Sequence, residues 1–294
     1  MLFGVNVSTA ADSRADPVAD AMAAEKLGFD FVSASDHPGS SHATFETWTM
    51  LSWIAAHTSK IRVASRVLGV PYRSPAMVAK MAETLDRLSA GRLILGLGGG
   101  YSDNEFRSFG LRVPTAGEKI AGLEEAVRVI RGLWSEQRFT YSGRRHHAEN
   151  ADLEPKPDHH IPIWLGTFGP RALAVTGRVA DGWIPSYDMA LPADVPAMKE
   201  KIFDAAQEAG RDPNEITLAY NIDIRVDDRR PPEPGVVSGS PDALIEQLRG
   251  FATLGFTAMN LMPSGPGVDE QVERLGREVV PAVRAAVGSA AAAS

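Results

Sequence analysis

The chain has no cysteine, which excludes disulfides, thiol catalysis and thiolate metal centres. It also lacks a positive balance: 30 Lys and Arg against 37 Asp and Glu give a formal net charge of −7. Nucleic acid is excluded as the main partner, because phosphate backbones are gripped by a basic face. A small basic pocket for an anionic ligand stays open. No apolar run is long enough for a membrane span. Residues 1–6 lack the basic start of a secretory signal, and a cytoplasmic location is expected. Neither a Gly-x-Ser-x-Gly elbow nor a Walker A sequence occurs, so serine-hydrolase and P-loop chemistry have no support.

What is present is a chain of 294 residues, 44% hydrophobic and 23% charged. That composition is ordinary for a globular protein. The length suits one α/β barrel with an insertion, read as a single domain over 1–294. Short apolar stretches at 2–7, 29–33, 61–67, 93–97, 163–166, 182–184, 216–226 and 257–262 read as eight strands. Helical patterns lie between them. Asp16-Pro17 opens the first and Gly28 closes it. Ser74-Pro75 caps another, and Ser240-Pro241-Asp242 a third. Further helices are expected near 45–58, 117–134, 170–179, 194–210 and 269–287. Residues 139–162 read as an irregular, proline-rich insertion, 227–237 as a flexible loop, and 289–294 as a frayed tail. Eight βα units without hairpin turns predict a parallel sheet, and favour a closed (β/α)8 TIM barrel over an open doubly wound sheet.

In such a barrel the chemistry lies in the loops after the strands. Thr167-Phe168-Gly169-Pro170-Arg171 opens a helix, where free N–H groups, the helix dipole and Arg171 suit a phosphate. The same residues also make an ordinary glycine-containing turn. Gly98-Gly99-Gly100 is not a dinucleotide fingerprint, since the third glycine is misplaced. It lets backbone lie flat against a planar ligand, or it simply supplies a loop with positive φ. His37, beside Asp36 at a strand end, offers a proton or hydrogen-bond donor, or else a structural loop residue. No metal is expected: His146-His147 and His159-His160 lack an i, i+4 partner. Trp48 and Trp53 read as packing residues. Trp48, Tyr101, Trp183 and Tyr187 are also candidates for apolar walls around a substrate.

Several motifs carry a family resemblance. They are Tyr72-Arg73-Ser74-Pro75-Ala76-Met77-Val78-Ala79-Lys80, and Thr84-Leu85-Asp86-Arg87-Leu88-Ser89-Ala90-Gly91-Arg92 running on to Gly98. Pro162-Ile163-Trp164-Leu165-Gly166, Gly169-Pro170-Arg171-Ala172-Leu173, Ala180-Asp181-Gly182-Trp183 and Ser238-Gly239-Ser240-Pro241 belong to the same set. From Leu2 to about Arg284 the chain resembles the luciferase-like monooxygenase superfamily. Ser35-Asp36-His37 and Gly169-Pro170-Arg171 are most similar to its branch using the deazaflavin coenzyme F420.

The resemblance implies Asp36, Leu68, Gly99, Gly100, Asn104, Phe168, Gly169, Arg171 and Ala172 as cofactor contacts. His37 is implied at the reactive face of the ring, and Ser186 is taken as a substrate contact. A bulge at Ser65 and Arg66 is implied behind the ring, with a cis peptide at Ser65-Arg66 or, alternatively, Arg66-Val67. Sugar-phosphate dehydrogenases of this branch carry a catalytic glutamate where Tyr101 stands here, and a phosphate-binding lysine where Met189 stands. Tyr101 is thus expected as a weak hydrogen-bond donor in catalysis, and sugar-phosphate oxidation is in doubt.

Three functions follow as expectations. The first is an F420-dependent oxidoreductase moving a hydride to or from a small organic substrate. The second is an FMN-dependent luciferase-like monooxygenase, which needs a partner flavin reductase. The third is a non-catalytic barrel with a degraded site. A homodimer is implied by the resemblance.

Overall fold

Strands buried on both faces need helices outside and a packed interior within. The computed structural model has this arrangement and describes residues 1–13, 15–39, 41–227 and 233–292. The first half runs β1 (Leu2–Asn6), α1 (Pro17–Lys26), β2 (Phe31–Ala34), α2 (Thr47–His57), β3 (Arg62–Ser65), β4 (Leu68–Gly69), α3 (Pro75–Leu88), β5 (Leu93–Gly98), α4 (Asp103–Ser108) and α5 (Ala116–Ser135). After it come β6 (Phe139–Ser142), β7 (His147–Ala151), β8 (Ile163–Leu165), α6 (Pro170–Val179), β9 (Gly182–Trp183) and α7 (Val195–Glu208). The chain ends with β10 (Thr217–Val226), β11 (Val237–Gly239), α8 (Pro241–Thr253), β12 (Ala258–Pro263), α9 (Val268–Arg274) and α10 (Val280–Ala292).

Parallel pairing runs β1-β2-β3-β5-β8-β9-β10-β12 and closes from β12 back to β1. The TIM barrel expected from the sequence is the fold. Inside it, Phe31, Ala64, Ile94, Trp164, Ile184, Ala219 and Ala258 form a small apolar cluster. Phe31 meets Trp164 edge-on with centroids 5.8 Å apart. Toward the strands' C-terminal ends the interior turns polar. Ser33 donates to Asn260 Oδ1 at 2.9 Å, and Asn260 donates to Asn221 Oδ1 at 2.9 Å. A larger apolar shell lies between strands and helices.

Several expectations are corrected. Residues 139–162 are not wholly irregular, because β6 and β7 pair as an antiparallel hairpin. The alternation there is weak since only Phe139 of the first strand is buried. The helix over 117–134 starts one residue earlier, where Thr115 and Glu118 form a reciprocal capping box. Ser74 makes no side-chain cap, whereas Asp16 and Ser240 do. The third strand breaks at a cis Arg66-Val67 bond, one residue beyond the first expected position. The tail is helical as far as Ala292. Within the expected flexible loop 227–237, residues 228–232 lie outside the described set, and Val237 begins strand β11. Ser40, Ala293 and Ser294 lie outside it too. Among the described residues no helix is long and apolar enough to cross a membrane.

Candidate active site

The C-terminal mouth of the barrel holds a cavity of about 410 Å³. It draws together Asp36 and His37 after β2, Arg66 and Val67 after β3, and Gly98–Tyr101 after β5. Glu105, Phe168, Ser186, Asp188 and Asn221 complete most of its wall. A roomier hollow between α5 and α6 has four arginines, but Glu124, Asp181 and two backbone carbonyls already hold them. The chemistry-bearing groups converge at the mouth.

At its centre is a chain of three side chains. His37 Nδ1 lies 3.1 Å from Glu105 Oε1, and the Tyr72 hydroxyl donates to Glu105 Oε2 at 2.5 Å. Glu105 is buried while His37 is half exposed. Burial, and then the Glu105 carboxylate, push the Tyr72 phenol well above its ordinary pKa, so it remains a donor. Glu105 thereby fixes the imidazole, with Nδ1–H donating and Nε2 free for the cavity. Neither Glu105 nor Tyr72 was singled out from the sequence. Ser102-x-x-Glu105 has the pattern of a helix-capping box, which reads as local structure. Ser102 does cap α4, but the Glu105 carboxylate turns to His37 and Tyr72.

Asp36, expected as a cofactor contact, is spent on the protein. Arg73 grips it through Nη1 at 2.7 Å and Nη2 at 2.9 Å, and the Gly69 amide donates to it at 3.0 Å. This pair pins the loop carrying His37 against the segment after β4. Arg73 is also bound by Glu46, which caps α2.

The bulge is held by a close approach of two strands. The Ser65 hydroxyl donates to the Gly96 carbonyl and accepts from its amide, both at 2.9 Å. A Cβ at position 96 would fall 1.9 Å from the Ser65 carbonyl oxygen, so only glycine fits. Ser65 is thus a brace below the cavity. Leu68 is core, fully buried in β4 beside Leu97. Gly100 has the positive φ expected of the loop, +84°, whereas Gly99 does not. Asn104 is exposed on α4 and receives a bond from Arg107. Tyr101 stands at the rim, 85% exposed, with its ring edge-on to His37.

Gly169, Arg171 and Ala172 lie just past Phe168, at the start of the ten-residue helix α6. Pro170 takes the first helical position, and nothing lies within 4 Å of a Cβ built on Gly169. That end is open to a ligand. Of the aromatic candidates only Tyr101 touches the cavity. Trp183 is fully buried, donates to the Thr167 carbonyl and stacks on Phe256. Tyr187 packs on Tyr220 and Phe251. Trp48 packs as expected, but Trp53 is 60% exposed against His57.

Fold and mouth define a parallel α/β-barrel enzyme whose reaction takes place at the C-terminal ends of its strands. The sequence model of the luciferase-like monooxygenase family matches residues 1–231, and the chain belongs to that family. An F420-dependent glucose-6-phosphate dehydrogenase of Nakamurella multipartita is 29% identical, over 91% of this chain and 92% of that one. One from Kineococcus radiotolerans is 31% identical over 81% of this chain and 68% of its own. Among solved structures, an F420-dependent secondary alcohol dehydrogenase in complex with an F420-acetone adduct superposes with a TM-score of 0.86. At 23% identity, covering 96% and 99% of the two chains, that likeness is one of fold.

Proposed function

We propose that this protein is an F420-dependent oxidoreductase that moves a hydride between the deazaflavin and a small organic substrate. The observation that carries this reading is the His37–Glu105–Tyr72 chain at the cavity, in a protein whose relatives are named F420-dependent dehydrogenases. A degraded barrel would have no reason to keep a carboxylate-oriented imidazole at its mouth.

The residues present fit the cofactor. The free N–H groups of Arg171 and Ala172 at the open start of α6 suit its phosphate. Gly98 and Gly166 make room for the Val67 side chain and Gly100 for Phe106, so glycine backbone and Val67 line one side of the cavity, and Phe168 offers an apolar edge. When bound, the deazaflavin supplies a two-electron hydride acceptor or donor. The protein's own task is the proton. In the oxidising direction a substrate C–H bond gives up its hydride and the O–H proton passes to His37 Nε2, leaving a C=O bond. Glu105, bonded to Nδ1, stabilises the imidazolium that forms, and Tyr72 steadies Glu105. In the reducing direction the same nitrogen returns the proton.

The test is a fluorescence or absorbance titration of the purified chain with F420 and with FMN. Tighter binding of F420 is expected. Equal affinity, or reaction that requires oxygen, would favour the monooxygenase instead, with its partner flavin reductase. A substitution checks the phosphate end. A Cβ at Gly169 has open space around it, so Gly169→Leu should leave the fold intact while F420 affinity falls about tenfold or more, equivalent to ~1.4 kcal/mol. Unchanged affinity would move the phosphate elsewhere. We further propose that the chain is one domain acting as a homodimer in the cytoplasm, with family resemblance as the support for the dimer.

A further inference from the structure

Building on the reading of this protein as an F420-dependent oxidoreductase, we propose that Arg66 stabilises the negative charge that the deazaflavin ring gains on reduction. The protein thereby binds reduced F420 more tightly than oxidised F420 and raises the potential of the bound cofactor.

The cavity borders on a cation that the protein holds without an ion pair. Arg66, just past the end of β3, lines the cavity, and among the described residues it is the only Lys or Arg to do so. Its one hydrogen bond runs from Nη2 to Asn6 Oδ1 at 3.2 Å, a neutral acceptor, and its Nε is enclosed by protein with no partner. Among the described residues no carboxylate bonds to it, and Asp223 of β10 acts on it only as a charge at a distance. Arg73 makes the contrast: it is fully taken up by Asp36 and Glu46. Keeping a guanidinium out of bulk water without a bonded counter-charge costs free energy. A ligand that brings negative charge to the cavity recovers that cost.

The walls say which part of the ligand that is. Val67, next in the chain, is seated among Gly96, Gly98 and Gly166 and also lines the cavity. That apolar surface, flanked by glycine backbone, suits a planar ring. The phosphate is assigned to the open start of α6, and the substrate to His37, which stands half exposed with Tyr101 at the rim. The ring system is what remains to lie over Val67 and beside Arg66. A hydride carries two electrons and one proton, so a ring that accepts it gains one unit of negative charge, spread over its N1 and C2 carbonyl. A fixed guanidinium next to the ring lowers the energy of that form, while the oxidised ring, without the charge, gains little.

The experiment titrates the full chain by calorimetry with oxidised F420 and, without oxygen, with reduced F420. The bound potential is measured in parallel against a dye of known potential. The unmodified chain should bind the reduced form about tenfold more tightly. Arg66→Met removes the charge and keeps most of the length. It should bring the two affinities close together, which for a two-electron couple lowers the bound potential by ~30 mV. Arg66→Lys keeps the charge without the planar fork and should retain part of the difference, and thermal melting checks that both variants are folded. Equal affinity of the unmodified chain for the two forms overturns the proposal without recourse to any variant. So does an Arg66→Met protein that keeps the ratio or weakens both forms alike, or an Arg66→Lys protein as deficient as Arg66→Met. A raised substrate KM at unchanged bound potential overturns it as well, because Arg66 would then serve the substrate. Failure of the unmodified chain to bind F420 in either form overturns the functional reading, and this proposal with it.

Discussion

His37→Ala is expected to lower turnover by about 10²–10⁴-fold, the usual worth of a positioned general acid or base. F420 affinity should change little, since the imidazole carries a proton rather than the cofactor's weight. His37 is half exposed, and its partners Glu105 and Tyr72 are anchored to one another, so the variant should fold. The neighbouring carboxylate gives the prediction a second edge. Glu105→Gln keeps the side chain's size and removes the charge that favours the imidazolium. It should slow the same step by less than the loss of His37, and shift the pH profile of kcat. Stopped-flow mixing without oxygen separates the chemical step from binding. A His37→Ala protein reacting at the unmodified rate would make the histidine a structural loop residue.

Much of the fold was legible because barrel strands buried on both faces are nearly pure apolar runs, while proline and capping residues mark helix starts. Asp16-Pro17 and Ser240-Pro241 behave in the structure as they read in the sequence. The hairpin at 139–151 was not legible, because a surface ribbon with one buried anchor carries almost no alternation. At the site, sequence reading located the loops better than the roles within them. Position 37 was legible, as a histidine at a strand end. Glu105 was hidden by its own helix, whose capping pattern accounts for it locally. Asp36 was hidden differently: its bidentate partner lies 37 residues away, and no spacing rule links the two. Arg66 reaches Asn6 of β1 from the end of β3, a pairing that only the closed barrel sets up.

Asp36→Ala is expected to act on stability first and on cofactor binding only through it. The Asp36 side chain is 1% exposed and meets Arg73 in a two-pronged ion pair, with the Gly69 amide as a third donor. Removing one partner of such a pair strands the other charge, at a cost of about 3–5 kcal/mol. Arg73 is 16% exposed and keeps Glu46, so the loss should fall toward the lower end of that range. For a chain of this size ~3 kcal/mol corresponds to a drop of roughly 5 °C in Tm. Asp36→Asn retains an acceptor for one donor and should lose less. Thermal melting of both variants, without and with saturating F420, provides the check. A shift below about 2 °C in Asp36→Ala would deny the brace. An unshifted Tm together with lost F420 affinity would instead make Asp36 a direct cofactor contact. If the brace holds, reversing the pair with Asp36→Arg and Arg73→Asp together should recover part of the lost stability, because the ion pair is rebuilt although the Gly69 amide loses its acceptor.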